Sequence, residues 1–300
     1  MTDDVHLVTD DAHQQMSMMV TSHWISQVVR SVVDLSLAEH LAGQGLTADE
    51  VAAREGSAPR TTFRLMRACV ALGLLTPDED GRFHGTALLD TLRRDAPGSL
   101  RGLALATTLP AQWLAWNQFA ASVRTGRTQV GAALSADFFD DVGGANGSLL
   151  HLLQEADLDL RGVVFDRPGV VEEAVAETER RGLANRTDVV AGDFFESVPS
   201  GDLYLLKFIL HDWDDERAIK ILENCRAAMA PGGRLAVVEI LVGELDDPGP
   251  GALMDMNMLA IVPGQERSLE EYDALLHAAG LRRTTVTPTS SPQSVIEAVA

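Results

Sequence analysis

Cysteine is scarce in this chain, and positive charge is outweighed by negative charge. The 300 residues contain two cysteines, Cys69 and Cys225, which lie far apart in the sequence. A disulfide framework or a zinc site needs more thiols at closer spacing, so we expect free thiols in a reducing cytoplasm and no metal. The net charge of −20 at pH 7 opposes non-specific attraction to nucleic acid and to anionic membranes. Neither is therefore expected as a partner.

Long apolar runs are also missing. No stretch of about 18 apolar residues suggests a transmembrane helix. The acidic start, MTDDVHLVTDD, lacks the basic and apolar parts of a secretory signal. Hydrophobic residues still make up 46% of the chain, which is enough for a sizeable core. The length predicts about two domains.

Residues 1–100 predict a helical domain of winged-helix type. Between Gln14 and Leu41 the apolar residues cover more than one stripe, so we expect these helices to be covered on several sides. Thr47 and Glu50 have the spacing of a capping box at the start of the next helix. A second helix, a polar turn (PDEDG) and an extended segment (GRFHGT) follow, which is the order of a winged helix.

Two functions compete for such a domain. A winged helix often binds DNA, but here its second helix carries only Arg60, Arg64 and Arg67 within a strongly acidic chain. Since the electrostatic attraction to DNA is missing, the pattern favours a scaffolding or dimerisation role. A ligand-sensing winged-helix regulator stays open as an alternative, and a gel shift with DNA would distinguish it.

The rest of the chain predicts a helical bridge over 101–137, with Trp113 and Trp116, and an α/β domain over 138–300. In the latter, strands alternate with helices, which indicates a mostly parallel, doubly wound sheet of Rossmann-like type. The predicted strands lie near Phe138–Val142, Gly162–Phe165, Asp188–Ala191, Asp202–Phe208, Arg234–Ile240, Arg282–Val286 and Ser294–Ala298.

A glycine-rich loop, DVGGANG, follows the first predicted strand. Gly143, Gly144 and Gly147 let the backbone turn sharply and approach a ligand before a helix begins at Ser148. Asp166 ends the next strand, about 20 residues further on, where an acid commonly accepts hydrogen bonds from ribose hydroxyls. The combination predicts an adenosine-containing cofactor.

Asp193 ends the following strand, beside Phe194 and Phe195. This setting suits an adenine ring, although core packing of the two phenylalanines is an equal alternative. The glycine spacing differs from G-x-G-x-x-G, and the loop follows a whole helical domain. Both points disfavour a nicotinamide dehydrogenase.

His211 follows the fourth predicted strand, in LKFILHDWDDE, where ligands bind in open α/β sheets. An imidazole with an ordinary pKa near 6.5 can act as a neutral base at physiological pH. A lone histidine there is more often structural, but Glu239 at the end of the fifth strand and Glu266 in VPGQERS can orient it. These residues predict a general base held by carboxylates. Asp214 or Asp215 is expected to cap the next helix.

The motifs occur in a fixed order: a helical first half, DVGGANG, FDRP, GDFF, LKFILHDWDDE, PGGRLAVVE and PGQERS, with EY shortly after. In that order they resemble the two-domain S-adenosylmethionine-dependent O-methyltransferases, which include plant phenylpropanoid and flavonoid enzymes and bacterial enzymes of natural-product pathways. The resemblance covers nearly the whole chain. It is greatest to the actinomycete branch that modifies aromatic metabolites, which implies secondary-metabolite or antibiotic biosynthesis.

The resemblance implies roles for particular residues. His211 matches the general base of the family, and Glu239 and Glu266 match the carboxylates that flank it. In such enzymes the cofactor is S-adenosylmethionine, and S-adenosylhomocysteine is its product. The positions that hold the cofactor match Gly143, Asp166, Asp193, Phe194 and Lys207.

The resemblance also implies a small aromatic acceptor and a homodimer. The helix around DMNML matches a segment that lines the acceptor pocket, so Met254, Asn257 and Met258 are expected substrate contacts, with Trp116 from the bridge. Methionines at helical spacing are core packing by default, and that alternative stays open. The N-terminal helical domain forms the dimer in such enzymes, which suits the apolar segment from Met16 to Leu41.

At one place the chain departs from the family. The segment ALSADFF runs through Asp140 directly into Asp141, whereas relatives have a long helical stretch and an apolar strand before the glycine motif. A central buried strand does not easily begin Phe-Phe-Asp-Asp. This indicates either a segment omitted from the numbering or a real deletion.

One further alternative concerns the chemistry. Some members of the family bind S-adenosylmethionine but catalyse other reactions, such as hydroxylation or cyclisation. The intact His211 with its two carboxylates favours methyl transfer over these.

Overall fold

The computed structural model describes residues 11–129, 146–246 and 249–300. Phe138–Val142, Gly143 and the Asp140–Asp141 junction, for which a strand, a cofactor contact and a gap are predicted, lie outside these residues.

The chain divides into two compact units, Met1–Trp113 and Leu114–Ala300. Their boundary lies within the predicted bridge. The three-part division into 1–100, 101–137 and 138–300 stays a prediction.

Helices and one hairpin build the first unit. In chain order they are α1 (Asp11–Thr21), α2 (His23–Asp34), α3 (Leu37–His40), α4 (Ala48–Glu55), α5 (Pro59–Ala71), β1 (Leu75–Pro77), β2 (Phe83–Gly85), α6 (Ala87–Asp90) and α7 (Arg101–Ala106). β1 and β2 pair antiparallel. The helix–helix–hairpin order agrees with the sequence pattern, and its interpretation as a winged helix stays a prediction.

The start of α4 illustrates how the sequence determines local structure. Thr47 Oγ1 accepts a hydrogen bond from Glu50 N at 3.2 Å, and the Glu50 carboxylate accepts one from Thr47 N at 2.7 Å. These bonds satisfy donors that a helix start otherwise leaves unpaired, as in the predicted capping box. Gly56 ends the helix with φ of +65°, a left-handed conformation that suits glycine.

The first two helices carry an apolar surface that their own chain leaves exposed in the described residues. We call it the α1–α2 face, and it consists of Met16, Met18, Met19, Val20, Trp24 and Ile25. The described residues of the chain thus do not provide the predicted covering on this side. Apolar surfaces of this kind mark interaction sites.

α8 (Pro110–Asn117) leads into the second unit. The elements that follow are α9 (Phe119–Thr125), α10 (Ser148–Ala156), β3 (Gly162–Asp166), α11 (Val171–Arg180), β4 (Thr187–Ala191), β5 (Gly201–Lys207), α12 (Asp215–Ala228), β6 (Met229–Ile240), α13 (Gly251–Ile261), α14 (Leu269–Ala278), β7 (Arg282–Pro288) and β8 (Gln293–Val299). The predicted alternation of strands and helices is therefore present. Within the described ranges, no helix is long and apolar enough to cross a membrane.

Two sheets contain these strands. β3 is parallel to β4, and the larger sheet has the order β5–β6–β8–β7, in which β5 and β6 are parallel and β8 is antiparallel to both neighbours. Phe208 N donates to Val238 O at 3.2 Å, so the pairing of β5 with β6 continues to their carboxyl ends. The turn after β5 and Glu239 of β6 consequently meet at one edge.

Each unit holds one buried free cysteine. Cys69 lies in the core of the first unit, with Val51 and Met66, and Cys225 lies in the core of the second, with Leu235. Burial raises the pKa of the Cys69 thiol to about 11 and that of Cys225 to about 12. The two thiols are unpaired, as predicted.

Candidate active site

His211 lies in a short 3₁₀ turn, Leu210–Asp212, directly after β5. The backbone bends before it, because Phe208 has φ of +53°. A residue other than glycine adopts this left-handed conformation only where its surroundings enforce it. The Phe208 ring stacks on the imidazole, with 5.1 Å between the ring centroids and 22° between the planes. The Phe208 ring thereby covers one face of the His211 ring.

Two buried carboxylates lie on the Nδ1 side of His211. Nδ1 is 2.6 Å from Glu266 Oε1 and 3.7 Å from Glu239 Oε2. The other oxygen of Glu239, Oε1, accepts hydrogen bonds from the backbone N–H groups of Ile209 and Leu210, each at 3.1 Å. The structure thus brings the three predicted residues together. Glu266 binds the imidazole, while Glu239 holds the backbone of the turn.

Burial and charge act in opposite directions on this cluster. Burial lowers the pKa of His211, but the hydrogen bond to Glu266 and the negative charges of Glu239 and Asp212 outweigh it and raise the pKa above 6.5. Burial raises the pKa of Glu239 to about 7 and that of Asp212 to about 6, against the charge of His211. Shifts caused by burial together with a specific charge partner are common at active sites.

The cluster is also close enough to be considered as a metal site. Ligand atoms of His211, Glu239 and Glu266 lie within 4.8 Å of one another. However, Nδ1 and Glu266 Oε1 are 2.6 Å apart, whereas two ligand atoms of one zinc ion stand roughly 3.3 Å apart. The geometry is that of a hydrogen-bonded base, and a site without metal stays the prediction.

The two predicted cofactor carboxylates end paired parallel strands. Asp166 is the last residue of β3, and its carbonyl oxygen accepts a bond from Gly192 N at 2.9 Å, directly before Asp193. Asp166 Oδ1 accepts from Arg167 N at 2.7 Å, and Asp193 Oδ1 accepts from Phe195 N at 2.8 Å. These bonds orient the two carboxylates. Because paired strands lie about 4.8 Å apart, both carboxylates lie at the same edge of the sheet.

The start of α10 completes this edge. The helix begins at Ser148, as predicted, after Gly147, which has φ of +80° and whose added Cβ would lie 2.8 Å from the Val164 side chain. Only glycine meets both conditions. A helix start and two oriented carboxylates fit an adenosine cofactor with ribose hydroxyls to donate.

Phe194 and Lys207 are the other two described residues expected to hold the cofactor. The Phe194 ring contacts Phe195 and Trp213, with centroids 4.8 and 6.1 Å apart, at the margin of the core. Lys207 is exposed, and its Nζ lies 4.6 Å from the Phe208 ring centroid, a cation–π contact. Their contacts with a cofactor stay predictions.

The residues expected at the acceptor lie on α8 and α13. Trp116 Nε1 donates to Asn257 Oδ1 at 3.3 Å, and Asn257 Nδ2 lies 3.8 Å from Met254 Sδ. Met258 is buried in a small core with Ala115 and its neighbours, as the core-packing alternative predicts. The first three residues contact one another, and Met254 also packs against the core that contains Met258.

Two residues beside the base were not predicted as site residues. Asp255 Oδ1 accepts a hydrogen bond from Glu266 N at 3.0 Å, which holds the backbone of the carboxylate bound to His211. Arg267 is fully buried and donates to carbonyl oxygens on both sides of His211. Its only sequence signal is its position next to Glu266, because arginines are mostly exposed.

Comparison with known proteins identifies the family of this chain. Residues 134–282 match the family described as the O-methyltransferase domain, and residues 18–108 match the O-methyltransferase dimerisation domain. The chain is 30% identical to phenazine O-methyltransferase PhzM from Lysobacter antibioticus, over 93% of this chain and 94% of that protein. It is 33% identical to O-demethylpuromycin-O-methyltransferase from Streptomyces alboniger, over 98% and 90%. The chain belongs to the two-domain O-methyltransferase family.

The O-methyltransferase also has solved structural relatives. One is an O-methyltransferase from neocarzinostatin biosynthesis in complex with S-adenosylmethionine and 2-hydroxy-5-methyl naphthoic acid. It has a TM-score of 0.70 and 30% identity, covering 92% of this chain and 96% of that one. The chain is thus an enzyme that uses S-adenosylmethionine, and the Rossmann-like fold is confirmed. The matched dimerisation domain supports a homodimer.

Proposed function

We propose that this O-methyltransferase methylates a phenolic hydroxyl of a small aromatic natural product, with His211 as the general base. The observation that carries the proposal is the 2.6 Å contact between His211 Nδ1 and Glu266 Oε1. Because an ionised carboxylate can only accept, the contact keeps the imidazole proton on Nδ1. The lone pair of Nε2 is then available to the acceptor hydroxyl.

S-adenosylmethionine supplies an electrophilic methyl group when it is bound. The chain's own residues align the acceptor and remove the proton of a phenol whose ordinary pKa is about 10. As His211 takes that proton at Nε2, its positive charge is balanced by Glu266 and by Glu239, whose carboxyl is ionised more easily beside a charged imidazole. Burial of all three strengthens these interactions.

The carboxyl edge of β3 and β4 is the proposed cofactor site. Asp166 accepts hydrogen bonds from the ribose hydroxyls, and Asp193 with the Phe194 ring holds the adenine. Gly143 and Lys207 are proposed contacts by their match to the family alone.

The acceptor is proposed to lie against Trp116, Met254 and Asn257, with Met258 behind them. An indole and a thioether offer flat or adaptable apolar contact, and the Asn257 amide adds one polar contact. The relatives include a phenazine O-methyltransferase and an enzyme in complex with a naphthoic acid. Both compounds are fused aromatic rings, which suit a flat apolar surface of this kind.

A methyl-transfer assay tests the proposed function. We expect the purified protein to transfer labelled methyl from S-adenosylmethionine to members of a panel of hydroxylated phenazines, naphthoates and benzoates, and mass spectra should show the added methyl on a phenolic oxygen. Matched anilines in the panel separate O-methylation from N-methylation. Binding of S-adenosylhomocysteine without transfer to any phenol would contradict the acceptor class.

We expect Glu266→Gln to move the acid limb of the kcat/KM profile to lower pH. In the unchanged enzyme the pKa of His211 lies above 6.5, so the neutral base is lost as the pH falls through that raised value. Glutamine keeps an acceptor but removes the charge, so burial then lowers the pKa of His211. Initial rates across pH measure the limb. The control is Glu270→Gln, an exposed residue of α14, and an unmoved limb in Glu266→Gln argues against the pairing.

A further inference from the structure

The segment from Gly264 to Arg267 lies directly against the turn that carries His211, and we call it the brace. A Cβ added to Gly264 would lie 1.9 Å from the carbonyl oxygen of His211 and 2.5 Å from Trp213 N. Real Cβ atoms do not approach backbone so closely. Glycine is therefore the residue that allows the brace to contact the backbone of the catalytic turn.

Arg267 fixes this contact with hydrogen bonds on both sides of His211. Its Nη1 donates to Leu210 O at 2.9 Å, and its Nη2 donates to Trp213 O at 2.8 Å. The planar guanidinium sets the directions of these donors rigidly. The carbonyl before His211 and the one two residues after it are thereby held at a set separation.

The other side of the guanidinium is anchored to the start of α12. Nε and Nη2 of Arg267 donate to Asp215 Oδ1 at 3.0 and 2.8 Å, and Gln265 Nε2 donates to the same oxygen at 3.3 Å. The Asp215 side chain is 62% exposed, whereas that of Arg267 is fully buried. Burying a cation costs free energy, which an apolar side chain at this position would not cost. The hydrogen bonds of Arg267 therefore indicate its role.

The role of these hydrogen bonds follows from the order of residues in the brace. Glu266, which binds His211 Nδ1, and Arg267, which binds the backbone around His211, are consecutive. A shift of the brace therefore changes the imidazole bond and the backbone bonds together. In an enzyme active site a misplacement of about 1 Å can cost about a hundredfold in rate.

We propose that Arg267 is a positioning residue, which holds the turn of His211 in register with Glu266 through the carbonyls of Leu210 and Trp213. The proposal rests on the proposed function, because it assumes that His211 is the base. It does not place Arg267 in contact with cofactor or acceptor.

Arg267→Lys tests the proposal, since lysine keeps the charge but not the rigid pair of donors. We expect kcat to fall by about 10- to 100-fold, with S-adenosylhomocysteine affinity unchanged by calorimetry. The groups facing His211 are Asp212 of its own turn, Glu239 of β6 and Glu266 of the brace. As the Glu266 bond loosens, the acid limb of kcat/KM moves to lower pH.

A spectroscopic reading separates positioning from a general loss of folded protein. The proton on His211 Nδ1 is assigned by its disappearance in His211→Ala, and we expect its NMR resonance to move upfield in Arg267→Lys as the hydrogen bond lengthens. Asp215→Asn removes only the charge of the exposed anchor, because the amide oxygen can still accept, and it should give the same changes to a smaller extent. It serves as the second variant if Arg267→Lys does not fold.

Arg283→Lys is the matched control, because Arg283 forms a two-bond ion pair with Asp273 in the same unit, at 2.6 and 2.7 Å. We expect it to leave the rate, the acid limb and the resonance unchanged. Folded Arg267→Lys or Asp215→Asn with all three at the values of the unchanged protein would overturn the proposal. If instead the resonance moves but His211→Ala retains full turnover, the positioning stands and the proposed base is wrong.

Discussion

Replacement of His211 by alanine is expected to lower the rate of methyl transfer by about 10²- to 10⁴-fold, the range that a general base contributes. In the proposed mechanism Nε2 is the base atom, because Nδ1 is bound to Glu266 at 2.6 Å, whereas Asp212 Oδ1 lies 3.5 Å from Nε2. Cofactor affinity is expected to stay the same, since Asp166 ends β3 and Asp193 follows β4, whereas His211 follows β5. Single-turnover rates and calorimetry with S-adenosylhomocysteine measure the two quantities.

The acidity of the acceptor offers an internal check on this result. A phenol that is already ionised needs no base, so the loss in His211→Ala should shrink along a series of increasingly acidic phenols. His277→Ala is the matched control, because His277 is an exposed residue of α14. A uniform loss across the series would assign His211 to binding or folding instead of proton removal.

The second large effect is expected at the cofactor edge. Asp166→Ala should weaken S-adenosylhomocysteine binding by about a hundredfold, because hydrogen bonds to a charged group contribute about 1.5–3 kcal/mol each and 1.4 kcal/mol is a factor of ten. The carboxylate is oriented for this contact by its bond from Arg167 N at 2.7 Å. Calorimetric titration measures the dissociation constant.

The control for this substitution is Asp188→Ala, which removes an exposed carboxylate from the neighbouring strand β4. It should bind the cofactor as the unchanged protein does. NAD serves as a second ligand that neither protein should bind. Equal affinities in Asp166→Ala and Asp188→Ala would remove Asp166 from the cofactor site.

Local sequence patterns predict much of the fold around the site. The apolar run before Lys207 forms β5, and Asp214, one of two predicted caps, accepts a bond from Arg217 N at 3.0 Å at the start of α12. Such features depend on neighbours a few residues away, so periodicity and capping residues reveal them. The resemblance to a family adds the identity of the three residues of the base cluster.

The division of labour between Glu239 and Glu266 could not be predicted in the same way. Both carboxylates follow His211 in the sequence, by 28 and 55 residues, and either could have bound the imidazole. Tertiary packing decides that Glu266 lies 2.6 Å and Glu239 3.7 Å from Nδ1. The backbone bonds of Glu239 and the left-handed Phe208 depend on the same packing, which no local pattern encodes.

The buried cysteines allow the opening of each unit's core to be measured separately. Alkylating reagents react with the thiolate of an accessible cysteine, and the pKa values of about 11 and about 12 hold Cys69 and Cys225 in the thiol form while their cores are closed. Labelling of each sulfur therefore reports the opening of the core around it. With one such sulfur per unit, peptide mapping after timed alkylation reads the local stability of each half of the enzyme without any substitution.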